Sequence, residues 1–334
     1  MKVLVYDSDF ASSGNIYPIK LALEELGHEA VMFDWRKYQY TYSESSIFNR
    51  FLDRVLINNV VRKINEDLRK KIASTNFDIL LVLRGEHITA DTIEFAIQNV
   101  TNVVNWNTDD LFNPLNSSNN VLEAFSKYHI HFTPRTQLKN EYIEKGARNV
   151  KRVDWYYRPE LAINNFPESI SFDCDIRFIG SMSKRRFSFL SALKNFNCEV
   201  YGWGWKRKMF FLNFPQWNIF HPIGYKEMST HFLNTRININ LMTIENRDLV
   251  NLRAFEIPAA GGFQLCERTD EILRVFKEDK EIVCFDSPEE LVSKCEFYLR
   301  NENIRQNIAR AGFERVISGK HRLIDSVEQL ILQI

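Results

Sequence analysis

The chain has 334 residues, of which 45% are hydrophobic and 26% are charged, with 43 Lys and Arg against 43 Asp and Glu. This length favours two domains and allows a large core to form without disulfides or a structural metal. The charge is also nearly balanced within each half. Neither half therefore has the basic surface expected of a protein whose main ligand is DNA or RNA.

The five cysteines are odd in number, far apart and contained in apolar stretches, with no C-x-x-C pair. This arrangement predicts reduced core residues rather than disulfides or a zinc site. Asp7 and Asp9 fall where a signal peptide would need an apolar stretch, and no apolar run reaches the length of a membrane span. We therefore expect a cytoplasmic protein that is neither exported nor transmembrane.

Strands and helices alternate along the first half of the chain. Apolar runs predict five strands, and helical periodicity predicts two helices together with a long, charged helical insertion over residues 36–76. In chain order the strands are Val3–Tyr6, Ala30–Phe33, Phe77–Leu83, Val103–Trp106 and His129–Thr133, and the helices are Ile16–Leu26 and Ala90–Gln98. Such alternation is typical of a parallel sheet covered by helices on both faces.

The pattern restarts after an interruption at Tyr156–Ser171, which contains two prolines and several Asn and Ser residues. The strands predicted beyond it are Ile176–Ile179, Glu199–Tyr201, Ile237–Leu241, Phe263–Cys266 and Glu281–Phe285, and the helices are Lys184–Asn195, Leu252–Ala260, Pro288–Arg300 and Glu302–Gly312. We predict two doubly wound α/β domains, 1–158 and 172–334, with the last helix as a candidate to return to the first domain. Ligands of such sheets bind at the carboxyl ends of the strands, so we expect a site in the cleft between the domains.

The stretch from Asn251 to Phe263 carries the strongest chemical signal. Arg253 and Glu256 fall near the start of a predicted helix, and Gly261 and Gly262 end it. The carboxylate can accept from sugar hydroxyls, the guanidinium can bind an anion, and paired glycines allow a ligand to approach the backbone. The alternative is a solvated helical ion pair followed by a Gly-Gly turn.

A second candidate follows the strand Ile176–Ile179. Gly180 and Ser181 form a turn of small residues, and Arg185 and Arg186 come shortly after it. Exposed backbone N–H groups with adjacent guanidinium groups can neutralise a diphosphate as it departs. A basic surface turn would have the same sequence.

Polar residues also follow two strands of the first domain. Glu86 and His87 come after Phe77–Leu83, and Asp109 and Asp110 come after Val103–Trp106. Any one of these four side chains could act as a general base toward an acceptor hydroxyl, and an Asp here is equally typical of a helix cap. Adjacent residues at a strand end point apart, so the Asp pair does not predict a metal site.

No glycine-rich phosphate fingerprint occurs in the first loop. Residues 7–17 contain a single glycine, Gly14, which argues against a dinucleotide-dependent enzyme. We therefore predict no cofactor.

Taken together, several segments resemble the CgeB spore-maturation family of GT-B glycosyltransferases. The resemblance is strongest in Asn251–Phe263, Lys280–Phe285 and His321, and Phe178–Ser181 and Trp106–Asp110 extend it toward the N-terminus. It implies two Rossmann-like domains and metal-independent transfer of a sugar from a nucleotide diphosphate sugar to a glycan, lipid-linked or protein acceptor. The family similarity places such chemistry in bacterial surface polysaccharide or glycoconjugate synthesis.

The resemblance also implies roles for single residues. Glu256 matches the second position of a Glu-x7-Glu motif, which holds the donor ribose, whereas Asp248 stands at the first position, so retention or inversion stays open. From their places after strands, Glu86 and Asp110 are our catalytic candidates together with Arg185. The donor-binding candidates are Gly180, Ser181, Arg186, Tyr225, Asn251, Arg253, Glu256, Gly261 and Gly262. Trp203 and Trp205, near a base pocket implied by the family, fit a core position equally well.

Two alternatives to a transferase remain open: a non-catalytic GT-B-like protein that binds nucleotide sugars, and a GT-B-type epimerase. Two segments also carry the composition of a peripheral membrane contact, namely the aromatic and basic stretch 203–217 and the insertion Ser46–Lys71 with Phe48 and Phe51. In both segments the apolar residues fit a packed core as well.

Overall fold

The computed structural model describes residues 1–7, 16–42, 46–114, 116–206 and 214–334, with only the backbone of Glu245. Gly14 and most of the stretch between Trp205 and Phe214 lie outside the described residues. The chain forms two compact units, one of Met1–Asp154 with Leu323–Ile334 and the other of Trp155–Arg322.

The first unit contains a six-stranded parallel sheet in the order β2-β1-β3-β4-β5-β6. Its strands are β1 (Lys2–Asp7), β2 (Glu29–Asp34), β3 (Ile79–Leu83), β4 (Asn102–Trp106), β5 (Ile130–Thr133) and β6 (Val150–Arg152). Its helices are α1 (Ile16–Glu25), α2 (Ile47–Val55), α3 (Ile57–Ala73), α4 (Ala90–Asn99), α5 (Asn119–Phe125), α6 (Lys139–Glu144) and the C-terminal helix Leu323–Ile331.

The second unit contains another six-stranded parallel sheet, in the order β12-β11-β10-β7-β8-β9. Its strands are β7 (Cys174–Ile179), β8 (Cys198–Tyr201), β9 (Trp217–Phe220), β10 (Thr235–Asn240), β11 (Gln264–Glu267) and β12 (Val283–Phe285). Its helices are α7 (Lys184–Ser191), α8 (Tyr225–Leu233), α9 (Arg253–Ala259), α10 (Asp270–Val275), α11 (Pro288–Arg300) and α12 (Glu302–Ser318), after which the C-terminal helix is numbered α13.

Both sheets are doubly wound. In each one the chain first builds strands to one side of its starting strand and then crosses to the other side, so the switch falls between β1 and β3 in the first sheet and between β7 and β10 in the second. The loops that leave two such strands diverge, and the space between them is where ligands of open α/β sheets bind. The predicted fold class, two doubly wound α/β units, is confirmed.

Continuous apolar strands account for the cores. β3 reads Ile-Leu-Leu-Val-Leu and is buried along its whole length, as expected of a central strand covered on both faces. All five cysteines are buried free thiols in the second unit, as their apolar surroundings predicted.

Among the described residues, the sequence prediction missed seven helices and strands: α5, α6, β6, β9, α8, α10 and α13. Five of them have seven residues or fewer, which is too short for a periodic pattern to stand out, and β6 and β9 are edge strands. The insertion at 36–76 is also not one helix. It starts with short 3-10 turns at Trp35–Tyr38 and Tyr40–Tyr42 and continues as α2 and α3.

Candidate functional site

The switch point of the second sheet is held together by Arg186. Its guanidinium donates to the carbonyl of Leu241 (3.0 Å), the Oγ1 of Thr243 (2.7 Å) and the carbonyl of Ser181 (3.0 Å). Arg186 therefore fastens the loop after β7 to the loop after β10, where a ligand of this sheet would bind. The predicted residues Ser181 and Arg186 do come together, but the Arg186 side chain is engaged by the chain itself.

The loop after β7 is also bonded to the loop after β8. Gly180 donates its N–H to the Tyr201 carbonyl (2.9 Å) and accepts from the indole N–H of Trp205 (2.8 Å), and Met182 donates to Trp203 (2.9 Å). Trp205 is fully buried, whereas Trp203 is 68% exposed. The core alternative is thus correct for Trp205 and wrong for Trp203.

Arg185 points to another partner. Both of its terminal nitrogens bind the carboxylate of Glu267, the last residue of β11. The same carboxylate accepts from the backbone N–H of Met242 (3.0 Å), so it also fixes the loop after β10. Arg185 and Glu267 are only partly exposed, and their bidentate pair places opposite charges at the carboxyl edge of the sheet.

The start of α9 meets the same edge. The Asn251 side chain accepts from the N–H of Ala254 in the first turn of the helix (3.2 Å), and it donates to the Oδ1 of Asn240 at the end of β10 (2.8 Å). The Nε of Arg253 lies 3.5 Å from the carbonyl oxygen of Ile179. Asn251 and Arg253 therefore lie beside the strand ends that carry Gly180 and Met242.

Glu256 is the most unusual side chain of the site. It is completely buried, and its Oε2 forms an ion pair with Arg253, one helical turn earlier. Its Oε1 accepts no hydrogen bond from any of the described residues. Burial lowers the pKa of the Arg253 guanidinium, but the Glu256 carboxylate outweighs this and holds that pKa above its ordinary value. A buried carboxylate oxygen without a donor costs free energy, which a ligand hydroxyl could recover.

Tyr225 and Arg158 complete this group. The Arg158 guanidinium lies 3.9 Å from the centre of the Tyr225 ring, and Arg158 is only 6% exposed. Burial raises the pKa of Tyr225, and the negative charge of Glu256 raises it further. Tyr225 was predicted, whereas Arg158 was missed, because its only signal is its place at the start of the interruption between the two halves.

Gly261 and Gly262 lie at the opposite end of α9 and are buried. A Cβ at Gly261 would meet the side chain of Ile163 at 2.7 Å, and one at Gly262 would meet the carbonyl of Phe232 at 2.7 Å. The atoms packed against these two glycines therefore belong to the protein itself. The two glycines allow close packing of the chain, in place of the predicted approach of a ligand to the backbone.

Asp248, at the first position of the motif, also works within the chain. Its carboxylate accepts from the N–H of Thr243 (3.2 Å) and from the side chain of Asn246 (2.9 Å). It thereby shapes the loop after β10.

The candidates of the first unit follow β3 and β4. Arg84 binds Asp109 at 2.6 Å and adopts a left-handed backbone conformation (φ 59°), which is uncommon for a residue other than glycine. Glu86 is half-buried beside this pair, and its negative charge acts on Arg84 and on the buried His87. Glu86 is therefore a half-buried carboxylate that follows β3, one of the two strands at the switch point of the first sheet.

Asp110 has a different environment. It is 2% exposed, and its Oδ1 accepts from the N–H of Phe112 (3.0 Å). The Asp110 carboxylate therefore has the turn role that the sequence left open beside the catalytic one.

Among the described residues, no group of three or more His, Cys, Asp or Glu side chains is placed to hold a metal ion. No helix in the described part of the chain is long and apolar enough to cross a membrane.

Known structures with the same arrangement decide the fold. Sucrose-phosphate synthase from Thermosynechococcus elongatus superposes with a TM-score of 0.70 at 10% identity, covering 100% of this chain and 98% of that chain. HepE from Anabaena, solved with UDP-glucose, gives 0.64 at 11% identity over 100% and 98% of the two chains. A glycosyltransferase from Rickettsia africae gives 0.61 at 13% identity over 99% and 97%.

The chain has the GT-B fold. Its residues 184–331 also match a sequence family described as glycosyl transferase-like. That match covers Arg185, Tyr225, Arg253 and Glu256, whereas Gly180 and Arg158 precede it. A search of curated proteins finds no sequence match.

Proposed function

We propose that the protein is a glycosyltransferase that takes a sugar from a nucleotide diphosphate sugar bound to its second unit. The GT-B fold, the glycosyl transferase-like region and the polar cluster at the second switch point support this proposal. Within the transferases, the resemblance to the CgeB family points to a glycan, a lipid-linked sugar or a protein as acceptor, in the synthesis of bacterial surface glycoconjugates.

Glu256 is the observation that carries the donor site. A carboxylate with one oxygen on Arg253 and the other without a donor among the described residues is suited to bind a hydroxyl group. Sugar and ribose hydroxyls supply such donors, and a hydrogen bond to a charged acceptor is worth about 1.5–3 kcal/mol. We assign the donor ribose to Glu256, with Asn251, Arg253 and Tyr225 beside it.

The donor phosphates are assigned to Ser181 and Arg185, because the N–H of Gly180 already donates to the Tyr201 carbonyl. Negative charge develops on the diphosphate as the glycosidic bond breaks, and a guanidinium near it stabilises that charge. In the unliganded chain Glu267 neutralises Arg185, so a diphosphate must compete with Glu267 for the guanidinium. Arg186 acts by holding the two loops in place.

On the first unit we assign the acceptor side to Glu86, because that half-buried carboxylate lies at the switch point of its sheet. The chemistry proposed needs no metal and no cofactor, since guanidinium and backbone N–H groups can carry the phosphate charge.

The test of the donor site is nucleotide binding by calorimetry, with UDP, UDP-glucose, GDP, CDP and dTDP as ligands. We expect Glu256→Ala to weaken binding of the preferred nucleotide by about 1–3 kcal/mol, because a ribose hydroxyl loses its charged acceptor. Glu271→Ala is the matched control, since Glu271 pairs with Arg274 three residues along another helix of the same unit, and it should bind as the wild type does. Glu256→Gln keeps the side-chain size and should also lose affinity.

Four results would speak against the proposal. Unchanged affinity in a folded Glu256→Ala protein would remove the ribose from this carboxylate. Binding of none of the nucleotides by the wild type would remove the donor site altogether. If chromatography shows that the protein converts a nucleotide sugar to its epimer without an acceptor, the protein is an epimerase. If it binds a nucleotide sugar but transfers the sugar to no acceptor, it is a binding protein.

A further inference from the structure

Helix α2 turns its apolar side outward. Its side chains of Ile47, Phe48, Phe51 and Val55 are 84%, 66%, 59% and 58% exposed, and none of its residues is buried. A surface helix normally packs its apolar stripe against the core and exposes its polar stripe. Several large apolar side chains side by side on a surface mark a site of contact with another body.

The orientation of α2 is fixed by its polar side. Successive residues of a helix are about 100° apart, which places Asp53 opposite the arc that contains Phe48, Phe51 and Val55. The Asp53 carboxylate accepts from the N–H groups of Tyr40 (2.6 Å) and Thr41 (3.1 Å) and from the Thr41 hydroxyl (2.6 Å). Three hydrogen bonds thus hold the polar side of α2 against the preceding turn and direct the apolar side away from it.

The border of this apolar side is basic and aromatic. Arg50 and Arg54 are exposed beside Ile47, and the helix contains a single acid, Asp53, whose charge faces the opposite way. Tyr40 and Tyr42, in the turn to which α2 is bonded, are 42% and 49% exposed. We call Tyr40, Tyr42, Ile47, Phe48, Arg50, Phe51, Arg54 and Val55 the α2 surface.

We propose that the α2 surface docks onto an anionic lipid bilayer. The phenylalanine rings, Ile47 and Val55 would enter the boundary between headgroups and acyl chains, the tyrosines would lie at headgroup level, and Arg50 and Arg54 would bind lipid phosphates. A second copy of the chain fits less well, because one nine-residue helix offers far less than the roughly 800 Å² per partner of a stable dimer. This inference is independent of the proposed function, since lipid binding is measured without any nucleotide or sugar.

The experiment is co-sedimentation of the full-length protein with vesicles, either of phosphatidylcholine alone or of phosphatidylcholine mixed with phosphatidylglycerol. The wild type should sediment with the mixed vesicles and much less with the neutral ones. Phe51→Asp should weaken binding to the mixed vesicles by at least about tenfold, because a charge replaces the central apolar anchor. Phe297→Asp makes the same change at a phenylalanine that is 48% exposed in α11, and it should bind as the wild type does.

The double variant Arg50→Glu with Arg54→Glu separates charge from apolar contact. It should lose the preference for mixed vesicles and keep the weak binding to neutral ones. Circular dichroism melts of all variants check that they remain folded. If the Phe51→Asp protein does not fold, the milder substitution Phe48→Ser replaces it.

Three outcomes would overturn the proposal. The first is a wild type that stays in the supernatant with both kinds of vesicle, and the second is a Phe51→Asp protein that sediments like the wild type. The third is a dimer seen by sedimentation velocity without lipid that Phe51→Asp converts to monomers, which would assign the α2 surface to self-association.

Discussion

Two identical residues side by side, Arg185 and Arg186, have different tasks. Arg186 donates to backbone carbonyls of two loops, whereas Arg185 binds the carboxylate of Glu267. The sequence predicts a pair of basic residues at this turn, but it does not show which one is occupied by the chain. That difference depends on Leu241 and Glu267, which are brought near only by the folding of the sheet.

Buried His131 makes the stability of the first unit depend on pH. Burial lowers the pKa of this side chain to about 4, and its Nε2 lies 2.8 Å from the carbonyl of Phe125. Below pH 6.5, about the ordinary pKa of histidine, His131 is protonated in the unfolded chain but stays neutral in the folded chain. The free energy of unfolding therefore falls as the pH decreases from about 6.5 toward 4, and between pH 7 and pH 5 we expect a loss of about 2 kcal/mol.

Urea unfolding at pH 7 and pH 5 measures this loss. His131→Gln removes the titrating group and should lower stability at pH 7 but reduce the further decrease at pH 5. His221→Gln, at an exposed position, should leave that decrease as it is in the wild type. An equal decrease in the His131→Gln protein would assign the pH dependence to other groups.

At the scale of elements, two loops approach each other more closely than side chains allow. Gly202, after β8, has a φ of +151°, and a Cβ there would overlap the carbonyl oxygen of Gly180 after β7. The contact supports the turn that we assign to the donor phosphates. Glycine at this position is therefore required by both the backbone angle and the lack of space.

We expect Gly202→Ala to lower the free energy of unfolding by about 2–5 kcal/mol, from backbone strain together with overlap. Gly27→Ala is the matched control, since Gly27 also has a positive φ (+80°) but open space around it. We expect this substitution to lower the free energy of unfolding by only about 1–2 kcal/mol. Urea unfolding of both proteins measures the difference. Equal losses would show that the approach of the two loops adds nothing.

In the insertion 36–76, the apolar pattern of the sequence does not by itself tell which helix packs into the core. The sequence predicts an apolar face over Ser46–Lys71 and leaves open whether it is core or contact surface. The chain divides at Leu56, so that α3 buries Val60, Ile64 and Leu68 while α2 leaves Phe48 and Phe51 exposed. The hydrogen bonds that Asp53 accepts from Tyr40 and Thr41 hold the opposite side of α2 against the preceding turn.

At the scale of the whole molecule, the chain returns to its first unit at the end. α13 packs against α1, and Leu323, Val327 and Leu330 are buried. Gln329 and Ser326 bind the backbone of Asp154, and Gln333 binds that of Arg152. The first unit is therefore completed by residues that follow the second unit in sequence.

We expect Leu330→Ala to destabilise the first unit by about 2–5 kcal/mol, because it leaves a cavity under α13. Hydrogen exchange followed by mass spectrometry should then be faster in α1 and β6 and unchanged in the strands of the second unit. Leu332→Ala, at a residue that is 79% exposed, should leave exchange as in the wild type. Faster exchange spread over both units would contradict this division of stability.

The sequence by itself determines two parallel α/β sheets, because short apolar strands and helical periodicity are local signals. It also indicates Arg253 and Glu256, which lie one helical turn apart. Only the tertiary structure reveals that Arg158 stacks on Tyr225, that Glu267 binds Arg185 and that Asp110 serves a turn. These partners are far apart in the chain or depend on burial, and side-chain contacts of that kind arise from strand order and packing, which no local pattern encodes.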